Sequence, residues 1–186
     1  MVFLETGLGG AWLIESERRE DERGFFARTW CRREFDARGI RADFVQGNLS
    51  FNRHRGTLRG LHLQLPPSRE GKLVRCSRGE LFDVIVDLRC ESATFRRNYG
   101  VILSQGSGRS LYVPPGFAHG FQTLADDTEV TYEMGDFYDA DLSSGVRWND
   151  PAFDIRWPIA EPVVMSERDR SYPDFSSASF SAFRGY

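Results

Sequence analysis

Residues 80–88 read E-L-F-D-V-I-V-D-L, and this stretch decides the fold. One set of alternating positions, from Phe82 to Leu88, is wholly apolar, while the other set carries Asp83 and Asp87. An alternation of period two is typical of a β-strand, because successive side chains in a strand point to opposite faces. The sequence therefore predicts a strand here with two unlike faces.

Further short strand patterns lie on both sides of this stretch, separated by clusters of Gly, Pro, Ser and Asn. Many short strands at close spacing are typical of an all-β sandwich or barrel. One helix is predicted over Cys31–Arg38, with Gly39 as its stop signal. No strand–helix alternation and no glycine-rich phosphate loop is present, which argues against a nucleotide-binding α/β fold. The other predicted strands are Leu58–Gln64, Lys72–Cys76, Val101–Ser104, Ser110–Val113 and Glu129–Met134.

Length and composition indicate one globular unit. The 186 residues are enough for a single hydrophobic core, and 40% hydrophobic with 27% charged residues is typical of a soluble protein. We predict one domain over residues 1–175 and a loose, Ser-rich tail over residues 176–186.

Charge and cysteine content limit the partners and the compartment. The net charge of −3 argues against nucleic-acid binding, which usually shows a basic surplus. No apolar run approaches the roughly 20 residues that span a bilayer, so no membrane association is expected. The N-terminus lacks the basic and apolar regions of a signal peptide. The three cysteines have no paired spacing, which favours reduced thiols in the cytoplasm.

Few residues are candidates for chemistry, because the chain has only three histidines. His62 lies in a strand pattern next to Gly60, which leaves room for a ligand, although a single strand histidine is more often structural. Lys72 lies on an apolar face, where its charge needs a partner or solvent. Taken alone, Tyr132 is as typical of a core tyrosine, and Asp169 of a solvated loop residue.

Eight short motifs, taken together, resemble the dTDP-4-dehydrorhamnose 3,5-epimerase family. They follow one another in order from about residue 20 to about residue 170. The motifs are D-E-R-G-F-F at 21–26, F-V-Q-G-N-L-S at 44–50, R-G-L-H-L-Q at 59–64, G-K-L-V-R at 71–75, F-D-V-I-V-D-L-R at 82–89, V-P-P-G-F-A-H-G-F at 113–121, W-N-D-P at 148–151 and S-E-R-D at 166–169.

The resemblance implies a cupin-like jelly roll, a homodimer, and catalysis without metal or organic cofactor. It implies inversion of C3, C5 or both in a nucleotide-linked 4-keto-6-deoxy sugar, by way of an enolate. His62 would be the general base, oriented by Asp169. Lys72 would stabilise the enolate oxygen, and Tyr132 would return a proton to the opposite face of the sugar. Residues implied to bind the nucleotide sugar are Arg23, Gln46, Asn48, Arg59, His119 and Tyr138.

These residue types suit that chemistry. A histidine titrates near neutral pH and can abstract a proton, and a carboxylate partner sets its tautomer. A cation beside the ketone oxygen stabilises the developing enolate in a water-poor pocket. Arginine matches a diphosphate in charge and in fork geometry.

The sequence departs from the family pattern at two positions that are expected to contact the substrate. Arg28 and Ser143 stand where family members commonly carry glutamate. A regular strand would also place Arg59 and His62 on opposite faces. A bulge at Gly60, or a pocket shared between protomers, would bring the two residues together.

Three alternatives remain open from sequence. The first is an epimerase for a GDP- or CDP-linked sugar, which the two departures favour. The second is a metal-dependent cupin with His119 as a ligand, although the first motif supplies only His62 where metal cupins show two histidines. The third is a sugar-nucleotide-binding barrel without turnover, for which an opposed acid and base would be unnecessary.

Overall fold

The computed structural model describes residues 1–183 and consists mainly of antiparallel β-strands in two large sheets. This arrangement confirms the predicted all-β, cupin-like jelly roll with a few short helices. Within residues 1–183, no helix is long and apolar enough to cross a membrane. In chain order the elements are β1 (Val2–Glu5), β2 (Trp12–Glu15), β3 (Arg18–Asp21), β4 (Gly24–Ala27), α1 (Arg32–Asp36), β5 (Gln46–Asn52), β6 (Leu58–Gln64), β7 (Lys72–Arg78), β8 (Glu80–Asp87), β9 (Asn98–Ser104), β10 (Arg109–Val113), β11 (Phe117–Thr123), β12 (Thr128–Met134), β13 (Ser143–Gly145), α2 (Glu167–Arg170) and a 3-10 helix (Ser177–Phe183).

The two sheets enclose the main core. The larger sheet has the strand order β1-β2-β10-β7-β12-β5 and the smaller sheet has the order β13-β6-β11-β8-β9, while β3 and β4 form a separate hairpin. Apolar side chains from both sheets meet between them, each contributing about 1.5–3 kcal/mol when fully buried. They include Val74, Cys76, Leu111 and Val130 from the larger sheet, and Leu81, Ile85, Leu103 and Phe121 from the smaller one.

The strand predicted over residues 80–88 is β8, in the interior of the smaller sheet between β11 and β9. Its carboxylate-bearing face is the inner one, because Leu81 and Ile85 of that face belong to the core between the sheets. Its wholly apolar face is also buried, since Val84 and Val86 pack in a second core with the C-terminal segment. Both faces of β8 are therefore covered.

The C-terminal segment corrects the predicted tail. Residues 177–183 form a 3-10 helix in which Phe180 and Phe183 are buried in that second core. The Ser-rich composition suggested a loose end, but the two phenylalanines have an apolar sheet face to cover. Residues 184–186, the end of the predicted tail, lie outside the described residues.

The predicted helix is present but shorter than expected. It begins after the N-cap Cys31 and ends at Asp36, with Ala37 as its C-cap. Gly39 follows in a left-handed conformation at φ 73°, and its N–H donates to the carbonyl of Asp36. The helix thus begins one residue later and ends two residues earlier than the sequence pattern indicated.

Strand β6 carries an irregularity that decides which side chains face the interior. Opposite β11, His62 pairs with His119 and Arg59 pairs with Phe121, so β6 has one residue more than its partner in this interval. Gly60 lies inside the interval at φ 118°. A Cβ atom there would stand 2.6 Å from the Cα of Gly120. The bulge therefore requires glycine and places Arg59 and His62 on one side of the strand.

Candidate active site

His62 is joined to a buried carboxylate from the other end of the chain. Its Nε2 lies 2.6 Å from Oδ1 of Asp169, and the N–H of Gly60 donates to Oδ2 at 3.1 Å. Asp169 is placed by α2, whose N-cap Ser166 accepts a hydrogen bond from the Asp169 N–H. Burial alone would raise the pKa of the Asp169 carboxyl, but the bonds from His62, Gly60 and Ser166 hold that pKa below its usual range. Asp169 is thus held as a carboxylate beside the imidazole.

Lys72 has the charged partner that its position demands. Its Nζ lies 3.2 Å from Oε2 of Glu70, and both side chains are buried. The same ammonium donates to the carbonyl oxygen of His62 at 3.4 Å. The ion pair offsets the cost of burying the cation and leaves it next to the histidine strand.

Tyr132 approaches from the opposite sheet. It lies on β12, whereas His62 lies on β6, and the two side chains line the same cavity. The ring of His119 stands edge-on to the Tyr132 ring at 6.1 Å. Burial raises the pKa of the Tyr132 phenol, and the nearby Asp83 carboxylate adds to the increase. The phenol therefore stays protonated at neutral pH.

His119 is itself fixed by a second carboxylate. Its Nε2 lies 2.7 Å from Oδ1 of Asp83, and both residues are buried. The other carboxylate oxygen of Asp83 is buried and has no hydrogen-bond partner within residues 1–183. Two histidine–carboxylate pairs thus stand on neighbouring strands β6 and β11.

These side chains surround one cavity of about 270 Å³ between the two sheets. Arg59 lies at this cavity and donates from Nε to Oδ1 of Asn52 at 2.7 Å. This bond holds the guanidinium in place through Nε and leaves its terminal nitrogens for an anionic group. The residues lining the cavity are Asn48, Leu49, Ser50, Arg59, His62, Lys72, His119, Phe121, Tyr132 and Met134.

Three of the six residues predicted to bind the nucleotide sugar do not line the cavity. Gln46 lies on β5 opposite Met134, and its side-chain oxygen accepts from the N–H of Tyr138 at 2.7 Å. Tyr138 itself is 61% exposed. Arg23 is further removed, because it lies on the exposed β3–β4 hairpin and pairs there with Asp21.

Sequence reasoning missed three residues that support the predicted ones. Asp83 and Glu70 are the buried partners of His119 and Lys72. Arg168 donates from Nη2 to the side-chain oxygen of Ser143 at 2.9 Å. A signal existed for each, since Asp83 interrupts an apolar strand, Glu70 precedes the lysine by two positions and Arg168 precedes Asp169.

The two departures from the family pattern have different surroundings. Arg28 pairs with Glu34 at 2.8 Å on the surface, away from the residues that line the cavity. Ser143 pairs in register with Gln64 on β6 and accepts its hydrogen bond from Arg168. Only Ser143 is therefore built into the strand set that carries His62.

Larger grooves of about 410 and 550 Å³ contain none of the candidate catalytic residues. They lie on the outer side of the larger sheet, at Leu73, Arg75 and Tyr112, and no histidine lines either of them. Within residues 1–183, no group of three or more His, Cys, Asp and Glu side chains is placed to hold a metal ion. The metal-dependent alternative thus lacks a ligand set in the described part of the chain.

The arrangement can perform proton transfer on a bound carbon acid. Among residues 1–183, the second ring nitrogen of His62 makes no hydrogen bond, so it is available to accept a proton. Lys72 supplies positive charge beside it, and the protonated phenol of Tyr132 faces it from the other sheet as a proton donor. A base, an opposed acid and a cation around one cavity are the groups that inversion next to a carbonyl requires.

The chain matches one family among known proteins. The family profile described as dTDP-4-dehydrorhamnose 3,5-epimerase matches residues 5–177. A protein of that name from Sinorhizobium fredii is 42% identical over 173 residues, which are 93% of this chain and 89% of the relative.

Solved structures of similar proteins have the same fold as this chain. The dTDP-4-dehydrorhamnose 3,5-epimerase of Bacillus anthracis, with TDP and PPi bound, is 42% identical with a TM-score of 0.89, covering 94% of this chain and 99% of its own. The dTDP-6-deoxy-D-glucose-3,5-epimerase of Legionella pneumophila, in complex with dTDP-4-keto-L-rhamnose, is 38% identical with a TM-score of 0.84, covering 90% and 89%. The chain therefore belongs to the dTDP-4-dehydrorhamnose 3,5-epimerase family of isomerases.

Proposed function

We propose that this chain inverts C3 and C5 of dTDP-4-keto-6-deoxyglucose, using His62 as the base and Tyr132 as the acid. The observation that carries the proposal is the placement of these two side chains on facing sheets around one cavity, with Lys72 beside them. Inversion needs proton removal from one face of the sugar and proton delivery to the other. The membership of the chain in this epimerase family supports the same reaction.

In this mechanism His62 removes the proton next to the C4 ketone. The electron pair of the broken C–H bond becomes the enolate, and the ammonium of Lys72 stabilises the negative oxygen. Asp169 supports the imidazolium that forms, because it lies 2.6 Å from Nε2. Tyr132 then donates its proton to the opposite face of the same carbon. The phenol is restored by proton return from the imidazolium through solvent, so no net proton is consumed.

The nucleotide would extend out of the cavity, with its diphosphate beside Arg59 of the cavity lining. A volume of about 270 Å³ suits the keto sugar but not the whole nucleotide sugar. The anchored guanidinium of Arg59 is then available for the diphosphate. The relatives from Bacillus anthracis and Legionella pneumophila bind TDP and a dTDP-linked keto sugar, which favours thymidine as the nucleoside.

We also propose that the active form is a homodimer in which Arg23 completes the site of the partner subunit. Arg23 is 84% exposed on a hairpin that does not line the cavity of its own chain. The hairpin also exposes Phe25 and Phe26, which are 55% and 75% accessible. Exposed aromatic residues beside an arginine favour an interface. Leu49 at the cavity is 60% exposed on the edge strand β5 and offers an apolar contact.

Mixed dimers test this arrangement. His62→Ala and Arg23→Ala proteins should each be inactive alone. After co-refolding in equal amounts, about a quarter of wild-type activity should return, because half of the dimers then hold one intact site of two. No recovery would mean that Arg23 acts within its own chain, and an Arg23→Ala protein that is active alone would mean that Arg23 has no role in the site.

The reaction itself is tested by isotope exchange. The protein is incubated with dTDP-4-keto-6-deoxyglucose in heavy water, and deuterium at C3 and C5 is followed by NMR, with His62→Ala as the control. Label at both carbons supports the 3,5-epimerase, and label at one carbon a monoepimerase. No label with folded protein rejects this substrate, and the same assay is then applied to GDP- and CDP-linked keto sugars.

The compartment is proposed on separate grounds. Cys31, Cys76 and Cys90 are all free thiols, which favours the reducing cytoplasm. The proposed partners are a nucleotide sugar and a second copy of the chain, with no nucleic acid and no membrane.

A further inference from the structure

Tyr172 lies against the histidine that acts as base in the proposed function. It follows α2 directly, three residues after Asp169, so one short turn of chain presents both residues to β6. Its ring stands edge-on to the His62 imidazole, with 6.4 Å between the ring centroids and 63° between the planes. Aromatic pairs are attractive in this geometry over separations of about 4.5–7 Å.

The Tyr172 ring is itself held from two sides. A Cβ atom on Gly145 would lie 2.4 Å from the ring carbon that carries the hydroxyl, so the ring fills the space that the glycine leaves. Gly145 is the register partner of His62 between β13 and β6. On another side, the guanidinium of Arg168 stands 5.9 Å from the ring centre. Arg168 is in turn tied to Ser143 of β13.

The hydroxyl group of Tyr172 interacts with the Arg168 guanidinium, and no hydrogen bond joins it to His62 within residues 1–183. It is buried and has no hydrogen-bond partner of normal geometry within residues 1–183. The contact with His62 is therefore made by the aromatic ring.

His62 needs such a contact because Asp169 restrains it at one point only. The bond from Nε2 to Asp169 still allows the imidazole to rotate about that axis, and the side chain is 41% exposed. A base must keep its free nitrogen directed at the carbon-bound proton, and small misplacements cost large factors in rate.

We infer that Tyr172 is a positioning residue that restricts rotation of the His62 imidazole and keeps its second ring nitrogen directed into the cavity. The inference rests on the proposed function in taking His62 as the base. It attributes the restriction of the imidazole to the aromatic ring of Tyr172 and not to its hydroxyl group.

Kinetics of three variants test the inference. Tyr172→Phe keeps the ring and should retain wild-type kcat. Tyr172→Ala should lower kcat by about tenfold or more with little change in KM, because binding groups are untouched. Tyr172→Leu keeps apolar bulk without a flat ring and should show a similar loss of kcat. It replaces the alanine variant in the test if that variant folds poorly. Tyr112→Ala, which removes a buried aromatic ring on the outer side of the larger sheet, should lower Tm without lowering kcat per folded molecule.

A measurement without substrate separates this inference from the proposed function. Protons shared between histidine and carboxylate resonate far downfield in NMR spectra. Residues 1–183 contain two such pairs, His62–Asp169 and His119–Asp83. In Tyr172→Ala the His62 resonance should broaden or vanish while the His119 resonance persists as an internal control. Both resonances should persist in Tyr172→Phe, and loss of the signal in His62→Ala assigns it.

Several results would overturn the inference. They are an unchanged His62 resonance with kcat within about twofold of wild type in Tyr172→Ala, an equal loss of kcat in Tyr172→Phe, or a rise in KM alone. If the wild-type protein shows no exchange with any keto sugar, the proposed function fails, while the NMR comparison still decides the role of Tyr172.

Discussion

At the scale of single residues, the two histidine–carboxylate pairs differ in how completely the carboxylate is satisfied. Asp169 accepts bonds on both oxygens, from His62 and from the Gly60 N–H. Asp83 accepts on one oxygen from His119, and its other oxygen is buried without a partner within residues 1–183. The bonds that Asp169 accepts hold it ionised, so its charge can balance an imidazolium on His62, as the proposed role of His62 as the base requires.

Asp169→Asn should lower kcat by a factor of about 10² to 10⁴, because the amide no longer sets the histidine tautomer or stabilises its charge. Substrate binding should change little, and the measurement is kcat and KM of the purified variant. Asp169→Glu is a control that keeps the charge. Activity within tenfold of wild type in Asp169→Asn would contradict the role of this carboxylate.

The difference in stability between the wild-type protein and Asp169→Asn should depend on pH. The pKa of Asp169 is lowered on folding from its ordinary value of 3.8. Its contribution to stability is therefore complete above that value and is lost as the pH falls through the folded pKa. Urea midpoints of wild type and Asp169→Asn should differ at pH 7 and converge below about pH 4. A difference that grows in acid would contradict the direction of the shift.

Tyr132→Phe should separate proton removal from inversion. Epimerisation should slow by about 10²-fold or more, since the proposed acid is lost, whereas exchange at the face assigned to the proposed base His62 should slow far less. Both rates come from one NMR experiment in heavy water. Equal losses in exchange and inversion would assign Tyr132 to binding instead.

At the scale of elements, the bulge in β6 explains how one strand supplies both Arg59 and His62 to the cavity. The extra residue lies between the pairs Arg59–Phe121 and His62–His119. Without it, the two side chains would point to opposite faces, as the regular strand pattern indicated. The backbone of β11 passes so close that no side chain fits at Gly60.

Gly60→Ala should therefore damage both the fold and the site. The new Cβ would stand 2.6 Å from the Cα of Gly120 and 2.8 Å from the carbonyl oxygen of His119. With the added strain of a positive φ, we expect a loss of about 3 kcal/mol or more in the free energy of unfolding. Denaturant titration measures it. Gly106→Ala is the matched control, because its Cβ would meet nothing within 4 Å, and a similar loss there would contradict the argument.

At the scale of the whole molecule, the C-terminal segment acts as a cover for the smaller sheet. The outer faces of β6 and β8 contribute Leu61, Leu63, Val84 and Val86 to the second core. The segment after β13 brings α2 to the active site and then returns over this sheet, where Phe180 stacks on Phe175 at 5.7 Å. The described end of this segment, with Phe175, Phe180 and Phe183, thus supports the strand that carries His62.

Phe180→Ala should lower the free energy of unfolding by about 3–5 kcal/mol, as expected for a buried phenylalanine. Thermal and urea unfolding measure the loss. The control is Ser179→Ala, since the neighbouring serine is exposed and should change stability by less than about 0.5 kcal/mol. A loss below about 1 kcal/mol in Phe180→Ala would mean that the segment does not belong to the core.

The chain sequence by itself determined the strand class, the central strand and the chemistry-bearing residue types. Period-two alternation predicted β6, β8 and most of β7, β10 and β12, because a strand buried against a core must place apolar side chains on every second position. Strands such as β5 and β11 were missed. β5 carries polar side chains on its cavity face, and β11 is buried on both faces, so neither shows a simple alternation.

Only the tertiary structure decided which residues meet. The family resemblance implied that Asp169 orients His62, but the contact joins residues 107 positions apart, and no local pattern of the sequence specifies it. The bulge at Gly60 depends on the close approach of β11, and the burial of Phe180 depends on an uncovered sheet face. Local propensity acts over a few residues, whereas the cavity, its charges and the position of Tyr172 follow from packing between distant segments.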